Sequence, residues 1–192
     1  MKTHFLFLLA LFLTISGIAQ SGLKTREIKI LPNSRLSISG TTNINEFECD
    51  FNTFNFKNDS FKVHFIEKGD ILNFRNSVLP LENSDFDCGN RQINKDFHEL
   101  LETKRFPKIL LKLKKIDMST KDNTTVTINF NIAGVDKDYK FPVDITRNKQ
   151  LCFDGKLHLN ITDFNLKAPS KIFGLIELKE EIVINFNLNI QT

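Results

Sequence analysis

The chain has 192 residues, with 26 Lys and Arg against 23 Asp and Glu, 41% apolar and 26% charged residues. That length supports one domain with a real core. The balance excludes wholesale disorder, and a net charge of +3 lacks the concentrated basic footprint of a nucleic-acid binder. Nineteen Phe stand against one Tyr and no Trp, so the chain prefers large rings without polar handles.

Residues 1–19 open with Lys2 and His4, run apolar from Phe5 to Ile15, and close on Ser16-Gly17-Ile18-Ala19. The apolar run is about half of the roughly 20 residues a membrane span needs, and small residues precede Ala19 at cleavage-site spacing. The segment predicts a cleaved secretory signal followed by a domain over 20–192. A short membrane anchor is the competing reading. No Cys follows Ala19 to take a lipid, and no later stretch is apolar enough to span. The expected location is the periplasm or the extracellular space.

Beyond the leader, alternation with period two dominates, the mark of sheet with one face buried. Short apolar runs occur at Leu36–Ile38, Phe47–Phe56, Phe61–Phe65 and Leu72–Leu79. One stretch, Asn90–Phe106, breaks the pattern: Ile93, Phe97, Leu100 and Leu101 fall on one helical face, with Asn90 or Asn94 as N-cap and Pro107 past the end. Alternation then resumes. Ile109, Leu111 and Leu113 flank Lys112 and Lys114; Val126, Ile128, Phe130 and Ile132 alternate with Thr125, Thr127, Asn129 and Asn131. Phe153, Leu157, Leu159 and Ile161 surround Lys156, His158 and Asn160, and Ile182, Ile184, Phe186, Leu188 and Ile190 alternate with Val183 and three Asn. Turn chemistry separates the runs at Pro32-Asn33-Ser34, Asn58-Asp59-Ser60, Lys68-Gly69-Asp70, Lys121-Asp122-Asn123 and Asp136-Lys137-Asp138. Eight or nine antiparallel strands in a barrel or a sandwich are expected, with the helix as a lid across one end.

Export favours an oxidising compartment, where three cysteines permit at most one bridge. Cys49 shares parity with Phe47 and Phe51, and Cys88 with Phe86, so both point to the apolar face; Cys152 has the parity opposite to Phe153. Cys49–Cys88 is the favoured pair, and three free thiols stay open as the alternative. The spacings fit no zinc or redox motif. His64 and His158 sit at polar strand positions and His98 pairs at helical spacing with Glu102, so surface imidazoles are expected. No nucleophile elbow, zinc-protease helix or phosphate loop occurs, and neither a metal nor a cofactor is called for. The Lys-rich strand Lys108–Lys115 reads as a solvated face that discourages edge pairing rather than as a lipid-headgroup contact.

Several segments, in order, resemble the YceI-like family of exported lipid-binding proteins. They are Ser34-Arg35-Leu36-Ser37-Ile38-Ser39-Gly40-Thr41-Thr42 running on to Phe47; Asp96-Phe97-His98-Glu99-Leu100-Leu101 followed by Arg105-Phe106-Pro107-Lys108-Ile109; Ile132-Ala133-Gly134-Val135-Asp136-Lys137; and Lys156-Leu157 with Leu159 leading to Asp163-Phe164-Asn165-Leu166. Together they cover roughly residues 27–190. Glu99 departs from the family's direct His-Leu pair, and Gly174–Ile176 and the three cysteines are subgroup features. The resemblance implies an all-β fold: an antiparallel, eight-stranded, lipocalin-like barrel holding a polyisoprenoid or similar amphiphile, with no catalytic residues.

In such a barrel, parity aims Ile38, Phe47, Phe74, Val78, Leu111, Phe130 and Phe186 at the wall, while Phe97, Leu101, Phe106 and Phe164 close one end. An interior so poor in hydrogen-bonding groups suits an isoprenoid, quinone or other lipid tail, each buried methylene contributing roughly 0.8 kcal/mol. The expected function is non-enzymatic carriage or sequestration of such a ligand, with the oligomeric state open to a dimer. Two rivals are a solid-core module that binds another envelope protein, and a lipid-headgroup enzyme using His98 and Asp163.

Overall fold

The computed structural model describes residues 22–57, 59–120, 123–168, 170–171 and 176–192. The expected leader, Asn58, the Lys121-Asp122 turn and most of Gly174–Ile176 lie outside these. The strands are β1 (Lys24–Ile30), β2 (Arg35–Thr42), β3 (Glu46–Phe51), β4 (Phe61–Lys68), β5 (Ile71–Glu82), β6 (Phe86–Asp87), β7 (Lys108–Asp117), β8 (Thr125–Ile132), β9 (Val135–Pro142), β10 (Asp144–Arg147), β11 (Leu151–Asn160), β12 (Ser170–Lys171) and β13 (Ile176–Gln191). Helix α1 (Arg91–Leu100) interrupts them, and single 3-10 turns occupy Thr53–Phe56, Asn83–Asp85 and Ile161–Phe164.

The fold is all-β and every ladder is antiparallel, but the described ladders do not close into the expected eight-stranded barrel. Thirteen strands are present among the described residues, and their ladders run β6-β3-β2-β13-β1-β4-β5-β7-β8-β9, with β11 also on β13 and β10 on β11. No ladder joins β9 to β11, although the two lie side by side. The long β13 organises this layout: one edge pairs with β11 along Leu151–Asn160, while the other pairs first with β2 and, at Ile190 and Gln191, with β1.

Alternation explains most of the inward face. On β8, Val126, Phe130 and Ile132 are buried, and on β11, Leu157 and Leu159 are. The outward Asn of β13 bond laterally: Asn187 donates to Asp154 at 2.8 Å and Asn185 to Ser39 at 3.3 Å. Register shifts break the parity between Asn73 and Ser77 on β5, between Leu113 and Lys115 on β7 and between Leu178 and Ile182 on β13. Asn76 adopts φ +53 at the first of them, a β-bulge that turns Ser77, not Val78, to the interior. Ser77 is 5% exposed and Val78 39%.

The hairpin between β8 and β9 turns on Ala133 and Gly134, both at positive φ, with Ile132 opposite Val135. Asp136-Lys137-Asp138, expected as a turn, is therefore strand. Its charges face outward, where Asp138 accepts from Lys114 and Asn129 and Asp136 accepts from Asn131. Helix α1 forms as its spacing predicts. The Asn90 side chain accepts from the N–H groups of Gln92 and Ile93, and the Phe97 ring packs 5.2 Å from Phe86. Cys49 and Cys88 form a disulfide that ties β3 to the segment just ahead of α1, and Cys152 is a free, half-buried thiol on β11.

Candidate functional site

The interior between the strands is largely filled by its own side chains and holds two apolar voids. The smaller, about 60 Å³, lies under α1 against Phe47, Phe86, Phe97, Phe130 and Phe164, with no polar surface in its wall. The larger, about 170 Å³, lies among β1, β4, β5, β7, β8, β9, β11 and β13; Lys62 and Ser77 are the polar residues on its wall. Leu111 of β7 borders both. For scale, a dry engineered cavity of about 150 Å³ takes up benzene. The larger void thus has room for about one isoprene unit in the described packing, and a longer tail needs the walls to part.

The residues singled out in the sequence distribute unevenly over this interior. Ile38, Phe47, Phe97, Leu101, Leu111, Phe130 and Phe164 converge on the smaller void. Leu111 and Phe186 border the larger one, and Val78 touches it only from the bulge edge while facing mostly outward. Two residues border neither. Phe74 sits opposite Phe65 on β4, ring centroids 5.6 Å apart, and Phe106 lies against Gly134 with the Arg105 guanidinium 5.0 Å above its ring. Sequence reasoning missed Phe141 and Val143 on the larger wall, because β9 was expected to hold a turn. It also missed Ser77, whose hydroxyl accepts the His64 N–H at 3.2 Å to satisfy the bulge.

Side chains close the seam between β9 and β11 where no ladder does. The Tyr139 hydroxyl donates to Asp163 Oδ2 at 2.5 Å and accepts the Asn160 N–H at 3.4 Å, and Lys137 Nζ lies 3.1 Å from Asp163 Oδ1. Tyr139 stacks on Phe164 at 6.3 Å, and deeper in, Phe141 meets Phe186 edge-on at 6.0 Å. Burial, and then donation to the Asp163 carboxylate, push the Tyr139 phenol up to about 12. The same hydrogen bond, followed by that from Lys137, holds the Asp163 carboxyl below its ordinary range. Gly155 of β11 faces Phe186 across the β13 ladder; a Cβ there would stand 2.5 Å from the ring, so the absent side chain lets the ring lie over the backbone.

Little else in the described residues offers chemistry. His98 contacts Thr103 and the Phe97 ring, whereas Asp163 is held by Tyr139 and Lys137, so the two do not form a common site. His64 contacts Thr25 and His158 contacts Glu181, both at the surface. Among the described residues no cluster of His, Cys, Asp and Glu is arranged to hold a metal, and no helix is long and apolar enough to cross a membrane. The Lys-rich strand β7 spends Lys108 on Glu82, Lys114 on Asp138 and Lys115 on Asp117.

Comparison with known proteins places this architecture. A crystal structure of BcnA from Burkholderia cenocepacia superposes with a TM-score of 0.61 at 19% identity, over 83% of this chain and 96% of that one. A polyisoprenoid-binding domain from Saccharophagus degradans, implicated in plant cell wall breakdown, superposes with a TM-score of 0.57 at 10% identity, over 86% and 98%. The YceI protein of Campylobacter jejuni gives 0.50 at 16% identity, over 60% and 71%. At such identities these likenesses speak for the fold. A search of curated proteins by sequence finds no match. The profile of the YceI-like domain matches residues 33–190, most of the chain, with the β2 segment, α1, the Ala133-Gly134 hairpin and the Asp163-Phe164 turn all inside it; the chain belongs to the YceI-like family.

Proposed function

We propose that this protein is an exported, non-enzymatic binder that holds the apolar tail of a polyisoprenoid, quinone or other lipid inside its sheet, for carriage or sequestration. The observation that carries the reading is the chemistry of the interior. The two voids, which share Leu111 as a wall residue, are lined by apolar side chains save Lys62 and Ser77. Such a wall rewards methylene burial and gives a sugar or nucleotide nothing to bond. Membership of the YceI-like family and the likeness to a polyisoprenoid-binding domain support the same class of ligand. On this reading β1, β4, β5, β7, β8, β9, β11 and β13 are the eight staves of a lipocalin-like barrel whose one unzipped joint is the β9–β11 seam. Residues 1–19 are a leader removed on export to the periplasm or beyond, and the Cys49–Cys88 bridge suits that oxidising compartment.

The test is a titration of the protein spanning 20–192 with geranylgeraniol, followed by displacement of a fluorescent polyene fatty acid. Saturable displacement is expected, and Phe130→Gln, which puts an unpaired amide into the wall, abolishes it while far-UV circular dichroism holds. Absence of displacement by the wild type, or equal uptake by a folded Phe130→Gln variant, overturns the proposal.

A further inference from the structure

The bulge at Asn76 ends a ladder as well as turning Ser77 inward. Strands β4 and β5 pair from Lys68 and Ile71 up to His64 and Arg75, and there the rungs stop. Beyond that point Phe61–Val63 of β4 pairs with β1, and Ser77–Glu82 of β5 pairs with β7. The Ser77 hydroxyl takes the His64 N–H at 3.2 Å where the next rung would fall. A bulge that terminates pairing in this way lets the two strand edges part.

The larger void reaches the surface through this split. Successive residues of a strand point to opposite faces of its sheet, so a void on one side touches every second residue. Among the described residues, β9 gives the wall Phe141 and Val143, and β13 gives it Phe186, Leu188 and Ile190, all from the inner face. Strands β4 and β5 break the rule on their facing edges. Lys62 borders the void together with Val63, and Val78 together with Ser77 and Leu79. Lys62 and Val78 are both exposed. The void therefore stops at the inner face along the β9–β11 seam but passes between the strand edges at the β4–β5 split.

Lys62 stands at that mouth as the one charged residue on the wall among the described residues. It joins none of the ion pairs formed within 4.0 Å, although Glu27 is opposite it in the β1–β4 ladder. Its methylene stem lies along apolar surface while the ammonium stays in water. One cation at the lip of an apolar void matches one negative charge at the end of an apolar tail. A phosphate monoester carries about two charges at neutral pH and leaves one unanswered, and an amine is repelled.

Resting on the lipid-binding reading above, we propose that the β4–β5 split beside the Asn76 bulge is the portal by which the tail enters the larger void, and that Lys62 at its lip holds a carboxylate head. The ligand class is an apolar-tailed acid, seated with its head at β4 and its tail across the void toward β9 and β13.

Stopped-flow mixing of the protein with a fluorescent polyene fatty acid reads the portal. Val78→Trp sets an indole across the split and is expected to slow association and dissociation alike by about tenfold, with affinity held within about threefold. Val78→Ala widens the split and speeds both, whereas Tyr139→Phe, which loosens the β9–β11 seam, leaves both within about twofold. Calorimetry with geranic acid and geraniol, which share one tail, reads the head. Lys62→Gln is expected to weaken the acid about tenfold and to leave the alcohol within about twofold, which shows that the void is intact. Rates unmoved by either Val78 variant, or raised by Tyr139→Phe instead, overturn the portal. A Lys62→Gln variant that keeps the wild-type ratio of acid to alcohol affinity overturns the head assignment. Both of those failures leave the lipid-binding reading standing, whereas a wild type that takes up none of the three probes removes that reading and this inference together.

Discussion

Leu111 is the residue to shorten first, because it stands where the two voids adjoin, opposite Leu79 on β5 and Phe130 on β8. Leu111→Ala removes three carbons from a packed position. At about 0.8 kcal/mol per methylene the transfer loss is about 2.4 kcal/mol. The residual space adds about 24 cal/mol for each Å³ that does not collapse, for a total of about 3 kcal/mol. For a chain of this size that lowers Tm by about 6–12 °C. The same deletion merges the voids into one chamber of about 250 Å³, just below the range for small-molecule pockets. Two more methylenes of a bound tail can then be buried, worth about tenfold in affinity. Thermal unfolding by circular dichroism and displacement of a fluorescent fatty acid by geranylgeraniol read the two effects separately. A variant that is less stable yet binds more tightly is the expected result. A variant that loses stability and binding together shows that the voids are packing defects of a solid core, and refutes the reasoning.

Phe164, 1% exposed at the end of the Ile161–Phe164 turn, is the largest fully buried side chain among the described residues, and Phe164→Ala should cost about 3–5 kcal/mol in denaturant unfolding; a loss below about 1 kcal/mol would remove it from the core. The Cys49–Cys88 bridge closes a loop with a sequence separation of 39, so reduction, or Cys49→Ser/Cys88→Ser, should lower stability by about 4 kcal/mol. A wild-type midpoint unmoved by reductant would contradict that. The raised Tyr139 phenol contributes stability fully present below its unfolded pKa near 10 and lost as pH climbs through about 12. The difference in stability between wild type and Tyr139→Phe should therefore shrink across that window, and a difference constant from pH 9 to 12 would deny the seam contact. Asp163, with its folded pKa depressed, adds stability above its unfolded value near 4 that is lost as pH falls, and Tyr139→Phe should blunt that acid-side loss as well.

Much of this was legible in the residues. The strict alternation of β13 from Ile182 to Ile190 and of β8 from Val126 to Ile132 identified inward faces correctly, because a period of two admits one assignment once a face is buried. Asn90 caps α1 as its side chain suggests, but the helix stops at Leu100, with Glu102 at positive φ, well short of Pro107. Parity failed where a local event resets it. The bulge at Asn76 turned Val78 outward and Ser77 inward, and its only trace in Phe74-Arg75-Asn76-Ser77 is the Asn itself, a residue type that tolerates αL but does not by itself mark a bulge. Charge misled at Asp136-Lys137-Asp138, which resembles a turn but lies along β9, where cross-strand partners on β7 and β8 absorb its charges. The strand β1, Lys24–Ile30, escaped notice because its first four residues are exposed and polar.

A solid-core interaction module remains the sharpest rival, since the voids are small. Native mass spectrometry of the protein purified from its own host without detergent tests the central claim most directly. The account predicts a bound species of lipid mass that organic solvent extracts and added polyisoprenoid replaces. A bare polypeptide that also ignores added isoprenoid would contradict it.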